Sequence, residues 1–170
     1  RVSIILNIAK PSNYEGEWPK CSLFGIYDGH GGKGCSAYLQ NYLHKYIDNL
    51  SVNGIKNAIA RCESDFFKKI ATPFNSSEIE DDSGSCALVT IVTNTDSVVS
   101  INVGDSRMIL IASDYSVFFA TTDHKPNSPT ESERIRKAGG NIYQSCTEGE
   151  ELDTENSVPF IIHISFVQTI

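Results

Sequence analysis

Asp28-Gly29-His30-Gly31-Gly32 is the stretch of this sequence best equipped for chemistry. Aspartate offers hard oxygen atoms of the kind that bind magnesium or manganese rather than zinc. Histidine, with an ordinary pKa of about 6.5, can hand a proton to a leaving group near neutral pH. The glycines let backbone carbonyls and amides come close to a ligand. The pentapeptide follows a short apolar run, residues 21–27, and precedes a helical pattern. Its carboxylate therefore stands at a strand end and points out of the sheet edge. Taken alone, these five residues fit a glycine-rich turn with a satisfied Asp and an exposed His equally well.

The elements that must hold this stretch are legible on both sides of it. Residues 2–8 are apolar and β-branched, which predicts a buried strand, and residues 11–19, with two prolines, predict a loop. From Ser36 onward Leu39, Tyr42, Leu43, Tyr46, Ile47 and Leu50 fall on one face of a helix. Asn53 offers an N-cap for a second helix with the face Ile55, Ile59, Cys62, Phe66 and Ile70, and Pro73 follows its end. Residues 71–84 read as a polar loop whose acids Glu78, Glu80, Asp81 and Asp82 are solvated. Strands are expected over 86–93, 97–103, 107–112 and 117–121, joined by tight turns into an antiparallel meander. Ser128-Pro129-Thr130-Glu131 combines an N-cap, a proline at the first helical position and a Glu three residues on. That helix should run to Ala138 and stop at Gly139-Gly140. A strand start at 141–143, an acidic loop over 145–157 and an apolar strand over 158–167 complete the chain. Two helices ahead of a meander predict an α+β fold.

Composition bounds the partners. The 170 residues carry 14 Lys and Arg against 21 Asp and Glu, a net charge of −7, which disfavours nucleic acid and anionic membranes. Cys21, Cys35, Cys62, Cys86 and Cys146 contain no C-x-x-C pair, so a zinc ribbon or thioredoxin-type site is excluded. Scattered and odd in number, they read as reduced thiols of an intracellular protein, cytoplasmic or nuclear. No apolar run is long enough to predict a transmembrane segment. The chain begins mid-strand at Arg1 without a methionine, and residues 1–170 read as a single, truncated domain. Nothing in the sequence fixes an oligomeric state.

Five stretches, in order, resemble the metal-dependent protein phosphatases of the PP2C (PPM) family. They are Phe24-Gly25-Ile26-Tyr27-Asp28-Gly29-His30-Gly31-Gly32, Ser83-Gly84-Ser85-Cys86-Ala87, Asn102-Val103-Gly104-Asp105-Ser106-Arg107, Thr122-Asp123-His124-Lys125-Pro126, and Glu133-Arg134-Ile135 with Ala138-Gly139-Gly140. The resemblance implies an α-β-β-α sandwich, two antiparallel sheets flanked by helices, incomplete in this chain. It implies hydrolysis of phosphoserine and phosphothreonine in phosphorylated proteins by a metal-activated water at a binuclear Mg2+ or Mn2+ centre. Residue by residue, it implies that Asp28 bridges both ions, that the Gly29 carbonyl ligates one, and that His30 protonates the leaving oxygen. Asp105 matches an additional, weaker metal position. Cys86 stands where the family usually has Thr and reads as a small buried hydrophobe.

The family's phosphate-binding Arg and upstream acidic pair, and its two late metal-binding aspartates, have no counterpart here. Arg1 is an exposed terminal side chain, not the phosphate-binding Arg. One aspartate cannot hold two divalent ions, so the chain alone is expected to bind metal weakly and to be nearly inactive. The alternative is a catalytically inactive PP2C-like binding or regulatory module.

Overall fold

The computed structural model describes residues 1–70 and 81–142. In chain order the elements are β1 (Val2–Ile5), β2 (Cys21–Ile26), β3 (Gly29–His30), α1 (Gly34–Tyr46), α2 (Val52–Ile70), β4 (Gly84–Ser85), β5 (Ala87–Thr93), β6 (Val98–Val103), β7 (Ile109–Ile111), β8 (Val117–Ala120) and α3 (Pro129–Lys137). β1, β2, β5 and β6 form an antiparallel sheet in the order β1-β2-β5-β6, and the pairs β3-β4 and β7-β8 stand as separate ladders.

The period-2 pattern of the large sheet buries one face completely. Leu23, Val89, Ile91, Val99 and Ile101 point inward, and they meet Leu43 of α1, Ile47 at its end, and Ile55, Ala58, Ile59 and Cys62 of α2. The predicted helical stripes therefore supply the core. α2 starts earlier than Asn53 implied. Ser51 is its cap, with the hydroxyl accepting the Gly54 N–H at 3.2 Å and the carbonyl accepting the Ile55 N–H at 2.9 Å.

β1 differs from the expected buried strand over 2–8. It ends at Ile5 and lies at the sheet edge, sheltering only Ser3 and, in part, Ile5. Among the described residues α1 and α2 cover one face of the sheet. Val2 and Ile4, with their cross-strand partners Ile26 and Phe24, are exposed on the other.

The expected four-strand meander is split into two hairpins. β5 and β6 pair within the large sheet, with Val92 opposite Val98, while β7 and β8 pair only with each other. Gly104, at φ +99°, turns the chain out of the first sheet after β6. β7 is shorter than residues 107–112, because Arg107 turns aside to Asp123 and the Met108 N–H donates to Thr121 Oγ1 at 2.9 Å. Side chains fasten the second hairpin back to the first sheet. The Thr90 hydroxyl donates to Met108 Sδ at 3.0 Å, and buried Asn102 Nδ2 donates to the Thr122 carbonyl at 3.0 Å.

α3 has Ser128 at its N-cap position and Pro129 in its first turn, as its sequence predicts. The Ser128 side chain makes no capping bond, and Glu131 is drawn instead to Arg134, whose Nε donates to it at 2.9 Å. The helix end follows the double glycine. Gly139 takes φ +83°, the Gly140 N–H donates to the Ile135 carbonyl at 2.9 Å and the Gly139 N–H to that of Arg136 at 3.0 Å. Residues 141–142 carry no strand. Glu78, Glu80, Cys146, the acidic loop over 145–157 and the strand expected over 158–167 lie outside the described residues. Among the described residues no helix is long and apolar enough to cross a membrane.

Candidate functional site

One register runs through the whole of the β2–β5 pairing and into β3–β4. Ile26 lies opposite Leu88, and Gly29 opposite Ser85. Asp28 therefore faces Cys86 across the ladder, and the Cys86 N–H donates to the Asp28 carbonyl at 2.8 Å. On the far side of Cys86 stands Gly104, where an added Cβ would overlap Cys86 Sγ and lie 3.3 Å from its Cα. Asp28, Cys86 and Gly104 thus form one row across three chain segments at the end of the large sheet. Asp105 follows directly, and the Cys86 thiol donates to its Oδ1 at 3.3 Å. Two strand spacings separate the backbones at the ends of the row, about 10 Å.

The glycine loop starts beside this row. Asp28, Gly29 and His30 are exposed, and His30 pairs with Gly84 in the two-residue β3–β4 ladder. Gly31 takes φ +66°, a left-handed value that only glycine adopts at no cost. Gly29 is constrained for another reason. A Cβ there would come 2.6 Å from Ser36 Oγ, so the first turn of α1 rests directly on it.

Of the acidic run expected to be solvated, Asp81 and Asp82 are described, and Asp81 is held in place. Asp81 Oδ1 accepts the Ser83 N–H at 2.9 Å, and hydrogen bonds from Ser83 hold its carboxyl below the ordinary range. Around Asp105 the return segment is pinned as well. The His124 N–H donates to the Gly104 carbonyl at 3.1 Å, and Arg107 Nε bonds Asp123 Oδ1 at 2.9 Å.

Cys86 is half-buried and bonded to Asp105, not the enclosed hydrophobe its sequence context suggested. Burial raises the pKa of all four described thiols, Cys35 to about 11 and Cys62 to about 12. Burial thus disfavours the thiolate form of each, which argues against a cysteine nucleophile among the described residues. The donors at the site are instead hard oxygens, the carboxylates of Asp28 and Asp105 and the Gly29 carbonyl, which suit magnesium or manganese. Among the described residues no three His, Cys, Asp or Glu side chains gather as a metal cluster. Water or further residues would complete any coordination shell.

The family model for protein phosphatase 2C matches residues 3–153. The chain belongs to the protein phosphatase 2C family. Probable protein phosphatase 2C 14 of Arabidopsis thaliana is 32% identical over 132 residues, 72% of this chain and 27% of the relative. Protein phosphatase 1A of Homo sapiens is 34% identical over 152 residues, 84% of this chain and 38% of the relative. The chain thus spans roughly a quarter to two fifths of the length of these relatives. A phosphatase from Toxoplasma gondii shares the fold at a TM-score of 0.63 and 20% identity, over 85% of this chain and 54% of that one. A Caenorhabditis elegans sex-determining protein does so at 0.60 and 18%, over 87% and 40%. At such identities the likeness is one of fold, and it agrees with a partial α+β PP2C-type architecture.

Within this PP2C chain, Asp28, Gly29 and Asp105 lie along one end of the large sheet, Asp28 and Asp105 on either side of Cys86, with His30 one ladder position beyond Gly29. Two participants escaped the sequence reading. β3 and β4 hold three glycines and serines among four residues and carry no strand signal. Asp81 sits in a run of like charges, and nothing in the sequence brings it and Ser83 against the start of α1.

Several carboxylates make stability depend on pH. Asp65, Asp81, Asp114 and Asp123 are held below the ordinary carboxylate range, first by hydrogen bonds from Lys68, Ser83, Ser116 and Arg107 respectively. A depressed folded pKa adds stability above the unfolded value near 4, and that stability is lost as pH falls through the folded one. Glu63, raised by burial, acts in the opposite sense and is alone in doing so among the described carboxylates with a resolved shift. The thermal midpoint should fall steadily between pH 5 and 3. A midpoint that stays level across that window would contradict the four-against-one balance.

Proposed function

We propose that residues 1–170 carry the N-terminal and central part of one metal-dependent protein serine/threonine phosphatase domain. The juxtaposition of Asp28-Gly29-His30 with Asp105 through Cys86, in a chain of the PP2C family, is the observation that carries this reading. Asp28 and the Gly29 carbonyl hold Mg2+ or Mn2+, and Asp105 serves a further, weaker position. When bound, such ions supply Lewis-acid stabilisation of the phosphoryl oxygens and an activated water. His30 donates the proton that the departing serine or threonine oxygen requires.

Asp28, Gly29 and His30 are all exposed, and a phosphate displayed on the surface of another protein can reach them without a pocket closing around it. The net charge of −7 disfavours nucleic acid as a partner. Scattered cysteines, odd in number and without a C-x-x-C pair, fit an intracellular protein of the cytoplasm or nucleus. With two carboxylates at the site among the described residues, the chain by itself binds metal weakly and turns over slowly.

The test is manganese-dependent release of phosphate from a phosphothreonine peptide, by this chain and by a longer protein that contains it. The longer protein should reach ordinary enzymatic rates, roughly 1 to 1,000 per second, and lose them when the metal is chelated. The chain alone should need millimolar manganese and stay far below those rates. A folded longer protein with no turnover at any manganese concentration would establish a PP2C-like binding module instead.

A further inference from the structure

α1 has no cap of its own. Lys33 occupies the N-cap position without a side-chain hydrogen bond, and the first turn holds no acidic residue. Helix starts leave N–H groups without intrahelical acceptors, and the positive end of the helix favours a nearby anion. Both needs are met from outside the helix. Ser83 Oγ accepts the Cys35 N–H at 2.8 Å from 48 residues away. The Ser83 N–H in turn donates to Asp81 Oδ1 at 2.9 Å. Asp81 Oδ2 lies so close to Gly34 that an added Cβ there would overlap it.

The same two residues lead straight into β4, whose Gly84 and Ser85 pair with His30 and Gly29. Gly29 also supports Ser36 in the first turn of α1, at the 2.6 Å that a Cβ would leave. Gly29 and His30 are therefore held between the start of α1 and β4, and Asp81 with Ser83 fastens those two walls together. We propose that Asp81 and Ser83 are positioning residues, a cap supplied from a distant loop that sets the placement of Asp28, Gly29 and His30. The inference deepens the phosphatase reading, and its catalytic meaning rests on that reading.

The test compares Ser83→Ala and Asp81→Asn with wild type, and with Lys68→Ala on the exposed side of α2 as a control. Three readouts are taken on the whole chain: amide exchange at Cys35, the amide chemical shifts of Gly29 and His30, and manganese affinity from water proton relaxation. Exchange at Cys35 should quicken about tenfold in Ser83→Ala. The Gly29 and His30 shifts should move in both variants and not in the control, and manganese affinity should fall three- to tenfold. Faster exchange with unmoved Gly29 and His30 shifts would reduce the pair to an ordinary helix cap and overturn the proposal. If Ser83→Ala fails to fold, Asp81→Asn, which keeps shape and removes charge, decides by the same shifts. A wild-type chain that binds no manganese would count against the metal reading, while the Gly29 and His30 shifts would still decide the positioning role.

Discussion

Gly104→Ala is expected to destabilise the chain by about 3 kcal/mol, combining a left-handed backbone penalty with overpacking. The φ of +99° is strained for any L residue. The new methyl would also overlap Cys86 Sγ and lie 3.1 Å from Cys86 Cβ and 3.3 Å from its Cα. Cys86 cannot retreat, because its N–H is tied to the Asp28 carbonyl in the ladder. Gly139→Ala is the matched comparison, with φ +83° and nothing within 4 Å of the added carbon. It should cost only the backbone part, about 1 kcal/mol. Urea midpoints measured on both separate conformational strain from collision. Equal losses would mean that Cys86 yields without cost, and the row linking Asp28 to Asp105 would be looser than described.

Asp28→Asn is expected to lower metal-dependent turnover of the longer protein by at least about 100-fold, the scale on which one preorganised electrostatic contact is lost. The substitution keeps size and shape and removes the negative charge that a divalent ion needs. Asp28 contributes to the fold through its carbonyl, not its exposed side chain, so the thermal midpoint should hardly move. That combination of lost turnover and retained stability distinguishes a metal ligand from a structural turn residue. Turnover within a few-fold of wild type at saturating manganese would remove Asp28 from the metal site.

Much of the fold could be read from period alone. Leu43, Ile47, Ile55, Ile59 and Cys62 recur at helical spacing, and they are the residues that bury against the sheet. Pro129 and Gly139-Gly140 bracket α3 because a fixed φ and a left-handed φ are local properties. Sheet membership is not local. Residues 109–111 and 117–120 are short apolar runs that read as strands, yet no periodicity announces that Gly104 sends them to a separate ladder. Helices cover one face of the large sheet, so the apolar Val2, Ile4, Phe24 and Ile26 read as core while standing exposed.

The candidate site was legible to a similar degree. Asp28-Gly29-His30 was visible as a motif and Asp105 by resemblance, but their meeting through Cys86 depends on a register that only pairing fixes. Asp81 resisted reading most. Its like-charged neighbours in sequence suggest solvent; the Ser83 amide that holds it is local, but the Gly34 surface it packs on becomes a neighbour only in space.

Because Ser83 caps α1 from 48 residues downstream, the start of that helix cannot mature through local events. Closing a loop of this length costs about 3.4 kcal/mol of chain entropy beyond a constant, and helix nucleation is already unfavourable. The first turn of α1 and the β3–β4 ladder therefore belong to the same late step of folding, after the sheet has brought residues 81–85 home. On a ribosome adding 5–20 residues per second, the glycine loop waits about 2–10 s for its anchor to be synthesised. The segment that carries the chemistry thus acquires its shape later than its place near the start of the sequence would suggest.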